Sequence, residues 1–472
     1  MMMLNLRSRR RSAGVFLLLL LEFAGAYQQQ QLGALSRRRA LEVSAGVGGF
    51  LPAGWAWPVF GAQQGNDVTR VVGGIRRRRL GGSDMEVSEL GLGTQRWGST
   101  DFNGPDEALC FAMLDRAVLS GGVNLVDTAE QYPIPSGRGS PEGRTEVILG
   151  KWMKDRKARD KVVISTKITG GLNVNAATIK RACEGSLKRL DTDHLDLYLL
   201  HWPARYTPQS NWGQSLEYDI NFGRRRRPFE ADFEEVVSAM GDLIQEGKIR
   251  GYGSCNDNAV GLMGMCAAAK ALNVPKPAAF QNDYSLLNRR IEENGLSEAC
   301  DLENVGFMAY NVLAGGVLTG KYGLDDNNND NAPAAVDDGI ESRAAANFAE
   351  PRGRMDTRGW GLTLARYRTP AARRAAKQYF ALAKQYKMEP LDLAQRFAAG
   401  RDAVTTSLVG HTSLDQLDAS IAAFQRANKQ DLPKQLKWDI DRVHLQNRLP
   451  LFALDDAGPD WDNSGFIGER IP

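Results

Sequence analysis

Residues 162–167 read VVISTK, and residues 195–201 read LDLYLLH. Both runs are almost continuously apolar or β-branched, as a strand that is buried on both faces requires, and Asp196 interrupts the second run. A helical pattern lies between the two runs, near residues 175–190. Strand, helix and strand in this order predict one unit of a parallel sheet.

The same alternation extends over most of the chain. Strands are predicted at residues 90–93, 123–127, 162–167, 195–201, 249–253, 278–281, 305–310 and 405–409. Helices are predicted near residues 106–121, 141–156, 175–190, 231–247, 257–273, 289–302, 370–387 and 413–427. Eight strands that each precede a helix predict an α/β fold, a (β/α)8 TIM barrel, over residues 77–445. The connections 202–230 and 311–369 are long, and both follow the carboxyl end of a strand, where barrel enzymes carry their sites.

Residues 1–70 are predicted to be a targeting presequence, and residues 446–472 a C-terminal tail. Basic residues near the start precede an apolar run at 15–23 and an Ala-x-Ala cleavage signal at Ala24–Ala26. Because the run is too short to span a bilayer comfortably, it is predicted to be a signal peptide. Tyr27 and a second basic segment follow, similar to the two-part presequence of algae with secondary plastids. We therefore expect a plastid location, with the secretory pathway as the alternative.

The second basic segment leaves a further alternative open. Arg37, Arg38 and Arg39 precede a weakly apolar run at 40–60. This arrangement is typical of a twin-arginine signal for the thylakoid, but a longer transit peptide would look the same.

Charge and cysteine content exclude several classes of protein. The net charge is +3, and residues 1–70 hold eight arginines and three acidic residues, so the remaining chain carries −2. A body with this net charge lacks the excess of positive charge that nucleic-acid binding requires. The basic runs 76–79 and 224–227 are predicted to be solvated loops. Five scattered cysteines without a CxxC pair argue against a disulfide framework or a zinc site, so no metal site and only reduced core thiols are predicted. The body also has no predicted membrane span.

Four polar side chains stand where predicted strands stop: Asp127, Tyr132, Lys167 and His201. Reduction of a carbonyl by hydride needs a proton donor, and the pKa of a free phenol, near 10, is too high for efficient donation at neutral pH. The ammonium of Lys167 would lower the pKa of Tyr132, and Asp127 would be its counter-charge. His201 could orient and polarise the carbonyl group.

Each of these residues also has a non-catalytic interpretation. Asp127 could cap the next helix, Tyr132 could be a packed aromatic residue of a loop, and His201 could be a satisfied core residue. Lys167 is harder to explain in this way, because lysine is rarely buried without a partner. The combination of all four favours catalysis.

Five stretches of sequence resemble the aldo/keto reductase superfamily. They are VDTAEQY at 126–132, STK at 165–167, LDLYLLHWP at 195–203, GKIRGYG at 247–253 and QNDYSLLNR at 281–289. The similarity covers about 77–427, and AEQYPIP at 129–135 points to the Tas-like and potassium-channel β-subunit-like branch. The resemblance implies direct hydride transfer from NAD(P)H to a small aldehyde or ketone substrate, without a metal. In the family, Tyr132 would be the acid, Lys167 and Asp127 would tune it, and His201 would orient the substrate.

The resemblance also implies a cofactor site, with NADP(H) as the expected cofactor. In the family, the loop after the seventh strand wraps the pyrophosphate, Tyr310 stacks on the nicotinamide, and Asn256 and Gln281 hold the carboxamide. The segment after the eighth strand would bind the adenosine end at a helix N-terminus. The residues expected around the cofactor are Gly93, Thr94, Asn256, Gln281, Tyr310, Leu313, Gly315, Leu318, Gly320, Lys321, Gly410, Thr412 and Gln416.

Two other nucleotide-binding motifs are disfavoured. No GxGxxG lies between a strand and a helix early in the body, which argues against a Rossmann domain. Residues 315–321 read GGVLTGK and nearly imitate a P-loop, but the next residue is Tyr322 rather than Ser or Thr, so the Mg²⁺ ligand is missing. The glycines still allow backbone amides to approach a phosphate closely.

Three positions depart from the family pattern. Cys255 stands where a serine is usual, His411 where a small residue is usual, and Ser420 where an asparagine is expected. The first change weakens a hydrogen bond to the carboxamide, and the other two touch the adenine and 2′-phosphate region. A preference for NADPH is expected from the family, and His411 could either contact the 2′-phosphate or cover the adenine.

Two questions stay open at the level of sequence. A nicotinamide-binding regulatory subunit that senses redox state would keep the same four residues, so it is the alternative to an enzyme. Five aromatic residues could form a wall of the substrate pocket or could be ordinary packing within loops. They are Trp97, Trp202, Tyr206, Trp212 and Phe222.

Overall fold

The computed structural model describes residues 66–171, 174–207, 218–226, 230–322, 353–354, 364, 367 and 369–448. The predicted signal peptide and transit segment, up to residue 65, lie outside the described residues, as does the predicted tail beyond residue 448.

Eight parallel strands close into a barrel at the centre of the described fold. In chain order they are β4 (Leu90–Gly93), β5 (Leu125–Asp127), β6 (Val163–Ile168), β7 (Leu195–Leu200), β8 (Ile249–Cys255), β9 (Ala279–Asp283), β10 (Gly306–Tyr310) and β11 (Thr406–Gly410). Each strand pairs with the next, and β11 returns to pair with β4. The prediction of a (β/α)8 barrel is confirmed, and all eight predicted strands are present with shifts of one or two residues at most of their ends.

Helices surround this barrel. They are α1 (Glu107–Leu114), α2 (Arg144–Arg156), α3 (Ala176–Leu190), α4 (Ile220–Arg226), α5 (Phe233–Gln245), α6 (Ala259–Leu272), α7 (Arg290–Glu293), α8 (Leu296–Glu303), α9 (Pro370–Gln385), α10 (Pro390–Ala399), α11 (Leu414–Lys429) and α12 (Lys434–Arg448). Side-chain caps fix several helix starts, for example Asp232 before α5 and Ser413 before α11. Along the chain, each of the eight barrel strands is followed by at least one of these helices.

The sequence analysis missed three of these helices. The short α4 lies within the connection 202–230, α10 lies between the last two barrel strands, and α12 follows the last barrel helix. Helix α12 runs through the predicted boundary at residue 445 and buries Leu436 and Ile440. Helix α10 begins with Pro390 at its first position, which is a start signal that the sequence did offer.

A small antiparallel sheet precedes the barrel and closes its floor. Its strands are β1 (Val68–Val72), β2 (Ile75–Arg79) and β3 (Glu86–Ser88), and Gly73 and Gly74, both with positive φ, form the turn between the first two. β1 begins within the segment predicted to be presequence. Leu80, Met85 and Val87 pack in one buried cluster with residues of the barrel strands, so this sheet seals the end opposite to the strands' carboxyl ends.

The prediction that residues 76–79 form a solvated loop is wrong, because they form β2. Glu89, which is 2% exposed, accepts hydrogen bonds from Nε of Arg76 at 2.8 Å and from Nε of Arg78 at 2.6 Å. One buried carboxylate therefore holds two arginines of the run and fixes the small sheet to the start of β4.

The five cysteines are all free and buried. None of the helices within the described residues is long and apolar enough to cross a membrane. In the same part of the chain, no group of three His, Cys, Asp or Glu side chains is close enough to hold a metal ion.

The substitution Glu89→Ala should lower the free energy of unfolding by about 3 kcal/mol, because it leaves two largely buried arginines without their counter-charge. Urea denaturation followed by circular dichroism measures this. Glu86→Ala is the matched control, since its ion pair with Arg70 is exposed and should contribute less than about 1 kcal/mol. Equal losses for both variants would show that Glu89 does not anchor the sheet.

Candidate active site

The strand ends bring the four predicted catalytic residues to one face of the barrel. Asp127 is the last residue of β5, Lys167 lies in β6, and His201 directly follows β7. Asp127 is in register with Ser165 of β6, so its side chain lies next to the end of that strand. Tyr132 lies in the loop after β5 and returns over the same face.

Lys167 and Asp127 form a buried ion pair. The Nζ of Lys167 lies 2.6 Å from Oδ2 of Asp127 and donates a second hydrogen bond to the carbonyl oxygen of Thr128 at 2.7 Å. Lys167 is fully buried. Burial alone lowers the pKa of Lys167, but Asp127 and then Tyr132 raise it, and the net shift is upward. The ammonium is therefore charged at neutral pH.

Tyr132 lies beside this ammonium. The Nζ of Lys167 is 5.2 Å from the centre of the phenol ring, and the phenol is 6% exposed. Burial raises the pKa of Tyr132 to about 12, and Lys167 opposes this rise without cancelling it. Lys167 lowers the pKa of Tyr132, as expected, but desolvation outweighs this neighbouring charge, so the net shift is upward. The phenol keeps its proton.

His201 completes the group as a neutral imidazole. Its ring packs edge-on against Tyr132 with 5.7 Å between ring centres, and it stacks on Trp202 at 5.9 Å. Burial, and then the charge of Lys167, lower the pKa of His201 well below its ordinary value. Its Nδ1 has no hydrogen-bond partner among the described residues, and the ring lines the cavity described below.

Two further side chains hold Asp127, and the sequence analysis did not assign them this role. Oδ1 of Asp127 accepts a hydrogen bond from Ser165 Oγ at 2.9 Å and one from Gln281 Nε2 at 2.9 Å. The thiol of Cys255 donates to Oε1 of Gln281 at 3.4 Å. Both ends of the Gln281 amide are therefore used within the protein, in the region where a carboxamide contact was expected. Ser165 stands two residues before Lys167, a spacing that puts both side chains on one face of the strand.

A single cavity connects these residues with most of those predicted to bind a cofactor. Asp127, Tyr132 and His201 line it, while Lys167 lies behind them. The predicted cofactor residues that line it are Gly93, Thr94, Asn256, Gln281, Tyr310, Leu313, Gly315, Lys321, Gly410, Thr412 and Gln416. Leu318 and Gly320 do not. Leu318 points into the hydrophobic core, and Gly320, with φ of 79°, ends the short helix Ala314–Thr319.

Asn256 and Tyr310 join three strand ends. Asn256 follows β8 in a left-handed conformation, with φ of 57°, and its Nδ2 donates to the carbonyl oxygen of His201 at 2.9 Å. The hydroxyl of Tyr310, at the end of β10, donates to Oδ1 of Asn256 at 2.5 Å. This chain of bonds fixes the aromatic ring of Tyr310 at the wall of the cavity.

The segment after β10 presents backbone to the cavity. Gly315 and Gly316 have φ of 67° and 94°, a conformation that side chains rarely adopt, and both line the cavity. A Cβ on Gly316 would approach Cε of Lys321 to 3.0 Å. Lys321 itself lines the cavity, so glycine backbone that a ligand could approach closely and a positively charged side chain lie together there.

Arg354 is a cavity residue that the sequence did not reveal. Its Nη2 donates to Oε1 of Gln95 at 2.7 Å and its Nη1 to Oδ1 of Asn311 at 3.2 Å. It belongs to the long connection between β10 and β11. The periodicity of strands in the sequence does not show which residues of such a connection lie at the site.

At the far end, the cavity reaches the N-terminus of α11. The side chain of Ser413 caps this helix, and Oε1 of Gln416 accepts a hydrogen bond from the backbone N–H of Thr412 at 2.9 Å. His411 and Ser420 also line this end.

The proposed aromatic wall is present in part. Trp97 and Trp202 line the cavity. Tyr206 and Phe222 pack against each other, with 4.7 Å between ring centres, and are not lining residues. Trp212 lies outside the described residues.

Comparison with known proteins agrees with this geometry. The sequence model of the aldo/keto reductase family matches residues 89–436. The chain belongs to the aldo/keto reductase family. It is 32% identical to Protein tas of Escherichia coli (strain K12) over 387 residues, 80% of this chain and 99% of the relative. It is 30% identical to an aldo-keto reductase of Babesia bovis over 306 residues, 62% of this chain and 98% of the relative.

A third relative is the uncharacterized oxidoreductase YrpG of Bacillus subtilis (strain 168), which is 34% identical over 254 residues, 51% of this chain and 68% of the relative. As an aldo/keto reductase, the chain is an oxidoreductase that acts on carbonyl compounds. Members of the family generally use NAD(P)H.

Cys255 should not react with iodoacetamide in the native aldo/keto reductase at pH 8. Burial raises the pKa of its thiol, and Lys167 opposes this shift only in part, so the reactive thiolate is absent. Mass spectrometry of the alkylated protein measures this, and unfolded protein, in which all five cysteines should react, is the control. Rapid native alkylation of Cys255 would contradict the burial argument.

Proposed function

We propose that this protein is an NADP(H)-dependent reductase that converts aldehydes or ketones to alcohols, with Tyr132 as the proton donor. The arrangement of Tyr132 carries the proposal: a protonated phenol lies beside a buried ammonium and a neutral imidazole at the wall of one cavity. A protonated phenol can donate to a carbonyl oxygen that gains negative charge, and Lys167 would stabilise the phenolate that forms.

The cavity fits an extended dinucleotide. It offers the planar ring of Tyr310 at one end, glycine backbone and Lys321 in the middle, and the N-terminus of α11 at the other end. Asn256, Gln281 and Tyr310 would hold the nicotinamide, and Gly315 and Lys321 the pyrophosphate. When bound, the dihydronicotinamide supplies a hydride to the carbonyl carbon. Lys321 and Arg354 carry positive charge that suits the phosphates of NADP(H).

The remaining chemistry belongs to the side chains of the protein. Tyr132 donates the proton of its O–H to the carbonyl oxygen, which yields the alcohol and leaves a phenolate. Lys167 stabilises that phenolate by its charge, and Asp127 keeps Lys167 charged in a buried place. His201, which is neutral, can donate a hydrogen bond to the same oxygen and so orient the carbonyl. Solvent then returns the proton to Tyr132.

The substitution Tyr132→Phe tests the proposal. It removes only the hydroxyl, so the affinity for NADPH should stay within a few-fold of wild type. Turnover of an aldehyde such as nitrobenzaldehyde should fall by at least about 100-fold, because the proton donor is lost. NADPH oxidation, followed by absorbance, measures turnover, and fluorescence titration measures binding.

Two results would count against this proposal. Retained turnover in Tyr132→Phe would assign the proton donor to another group. Wild-type protein that binds NADPH but reduces none of a panel of aldehydes and ketones would instead support a redox-sensing regulatory subunit.

The pH profile of kcat/KM for reduction should be flat between about pH 6 and pH 9. Reduction needs the protonated phenol, which is present below the pKa of Tyr132, about 12, and is lost only above it. His201 adds no limb near pH 6.5, because burial holds its pKa well below the ordinary value. Steady-state rates in buffers of constant ionic strength measure this. A limb with a midpoint near pH 6.5 or pH 9 would contradict the assigned protonation states.

A further inference from the structure

The outward face of α6 is apolar and nearly free of charge. The helix reads AVGLMGMCAAAKAL and contains a single charged residue, Lys270, whereas α2 and α3, which also cover the barrel, carry several charges each. Its exposed apolar residues have the spacing of one helical stripe. They are Val260, which is 68% exposed, Met263, which is 40% exposed, Ala267 and Ala271. A contiguous apolar surface of this kind marks a place where another surface binds.

Two positive charges stand beside the start of this stripe. Arg224 and Arg225 lie on the short α4 and are exposed, and neither forms an ion pair with any described residue. The ring of Phe222 in α4 packs on Tyr206, with 4.7 Å between ring centres. The residues that follow β7 therefore hold α4 in place.

Those residues after β7 are in turn fixed to the start of α6. Arg205 donates to both carboxylate oxygens of Asp257 at 2.6 Å, and to Oδ1 of Asn258, the N-cap residue of α6, at 3.0 Å. The Nδ2 of Asn258 donates to Oγ1 of Thr207 at 3.1 Å. The two arginines of α4 thus lie towards the end of the stripe that begins with Val260.

Two negative charges stand beside the other end of the stripe. Glu298 and Asp301 are exposed on α8, next to Leu302, which is 52% exposed. Within the described part of the chain, neither acid has an ion-pair partner. Lys276, four residues after the end of α6, pairs with Glu303 at the end of α8 at 2.7 Å. This ion pair ties the acidic end of α8 to the C-terminal end of α6.

The face is therefore complementary to itself. In a dimer with a twofold axis through the middle of the stripe, the two copies of α6 pack antiparallel, because the axis reverses the direction of a helix that lies across it. The arginine end of one copy then meets the acidic end of its partner, and this contact occurs twice. A bilayer or another partner with charge of one sign would match only one of the two ends.

We propose that α6, flanked by α4 and α8, is the interface of a symmetric homodimer. The apolar stripes of the two copies cover each other, and the charges of α4 and α8 pair across the interface. None of the stripe residues lines the active-site cavity, so each copy keeps a complete cavity of its own. The inference does not depend on which reaction the cavity catalyses.

Sedimentation velocity of the full-length chain tests the proposal. Wild type should sediment as a dimer at micromolar concentration. Val260→Glu should raise the Kd of the dimer by at least about tenfold, because it places a carboxylate inside an apolar interface and opposite the acidic end of the partner. Val147→Glu is the matched control, since it makes the same change at an exposed valine of α2, and it should leave the Kd unchanged.

Charge reversal tests the antiparallel arrangement. The double variant Arg224→Glu, Arg225→Glu is acidic at both ends of the stripe, and the double variant Glu298→Arg, Asp301→Arg is basic at both ends. Each variant alone should be largely monomeric, because like charges then meet twice. An equimolar mixture of the two should form a mixed dimer, since every acidic end again meets a basic end.

Several results would overturn the inference. They are a monomeric wild type, a dimer that Val260→Glu leaves intact, and charge variants that dimerise alone or stay monomeric when mixed. Monomeric wild type that binds phosphatidylglycerol vesicles, and loses this binding in Val260→Glu, would assign the face to a bilayer instead. Circular dichroism checks that each variant is folded, and if Val260→Glu does not fold, the mixing experiment decides.

Discussion

The buried ion pair between Lys167 and Asp127 is the interaction on which the site depends. An ammonium that is fully buried would lose its proton without a partner, so Lys167 depends on a counter-charge. Asp127, at the end of β5, accepts hydrogen bonds from Lys167 and Ser165 of β6 and from Gln281 of β9. Three donors to one carboxylate fix its orientation, and with it the position of the Lys167 ammonium beside Tyr132.

The closed barrel makes this arrangement possible because parallel strands end on one face. Residues that are far apart in sequence, such as Asp127 of β5 and Gln281 of β9, lie on strands that do not pair, yet their side chains meet inside the closed barrel. The electrostatics also follow from closure. At the cavity, burial raises the pKa of Tyr132 and lowers that of His201, so the first holds its proton and the second stays neutral. At Lys167, neighbouring groups, Asp127 foremost, overcome burial and the pKa rises. Tyr132 and His201 are thus both uncharged groups beside the charged Lys167.

The sequence predicted the barrel well, because strands that are buried on both faces appear as nearly continuous apolar or β-branched runs such as VVISTK. It also predicted which polar residues would meet, since each one marks the point where a strand stops. It predicted poorly what depends on three-dimensional packing. The arginine run 76–79, expected to be a loop, forms a strand in which Arg76 and Arg78 pair with the buried carboxylate of Glu89. Arg354 reaches the cavity from a long connection that has no periodic sequence pattern. The sign of the shift at Tyr132 was also out of reach, because desolvation depends on every neighbour of the ring.

The small sheet at the start of the barrel has an effect at the opposite end of the molecule. Its apolar side chains, including Leu80 and Val87, fill the floor of the barrel together with residues of the strands. A molecule seated in the cavity would remove water from the side on which Asp127, Tyr132 and His201 line it. Binding there would lower the local dielectric constant and so strengthen the electrostatic interactions among these side chains and Lys167.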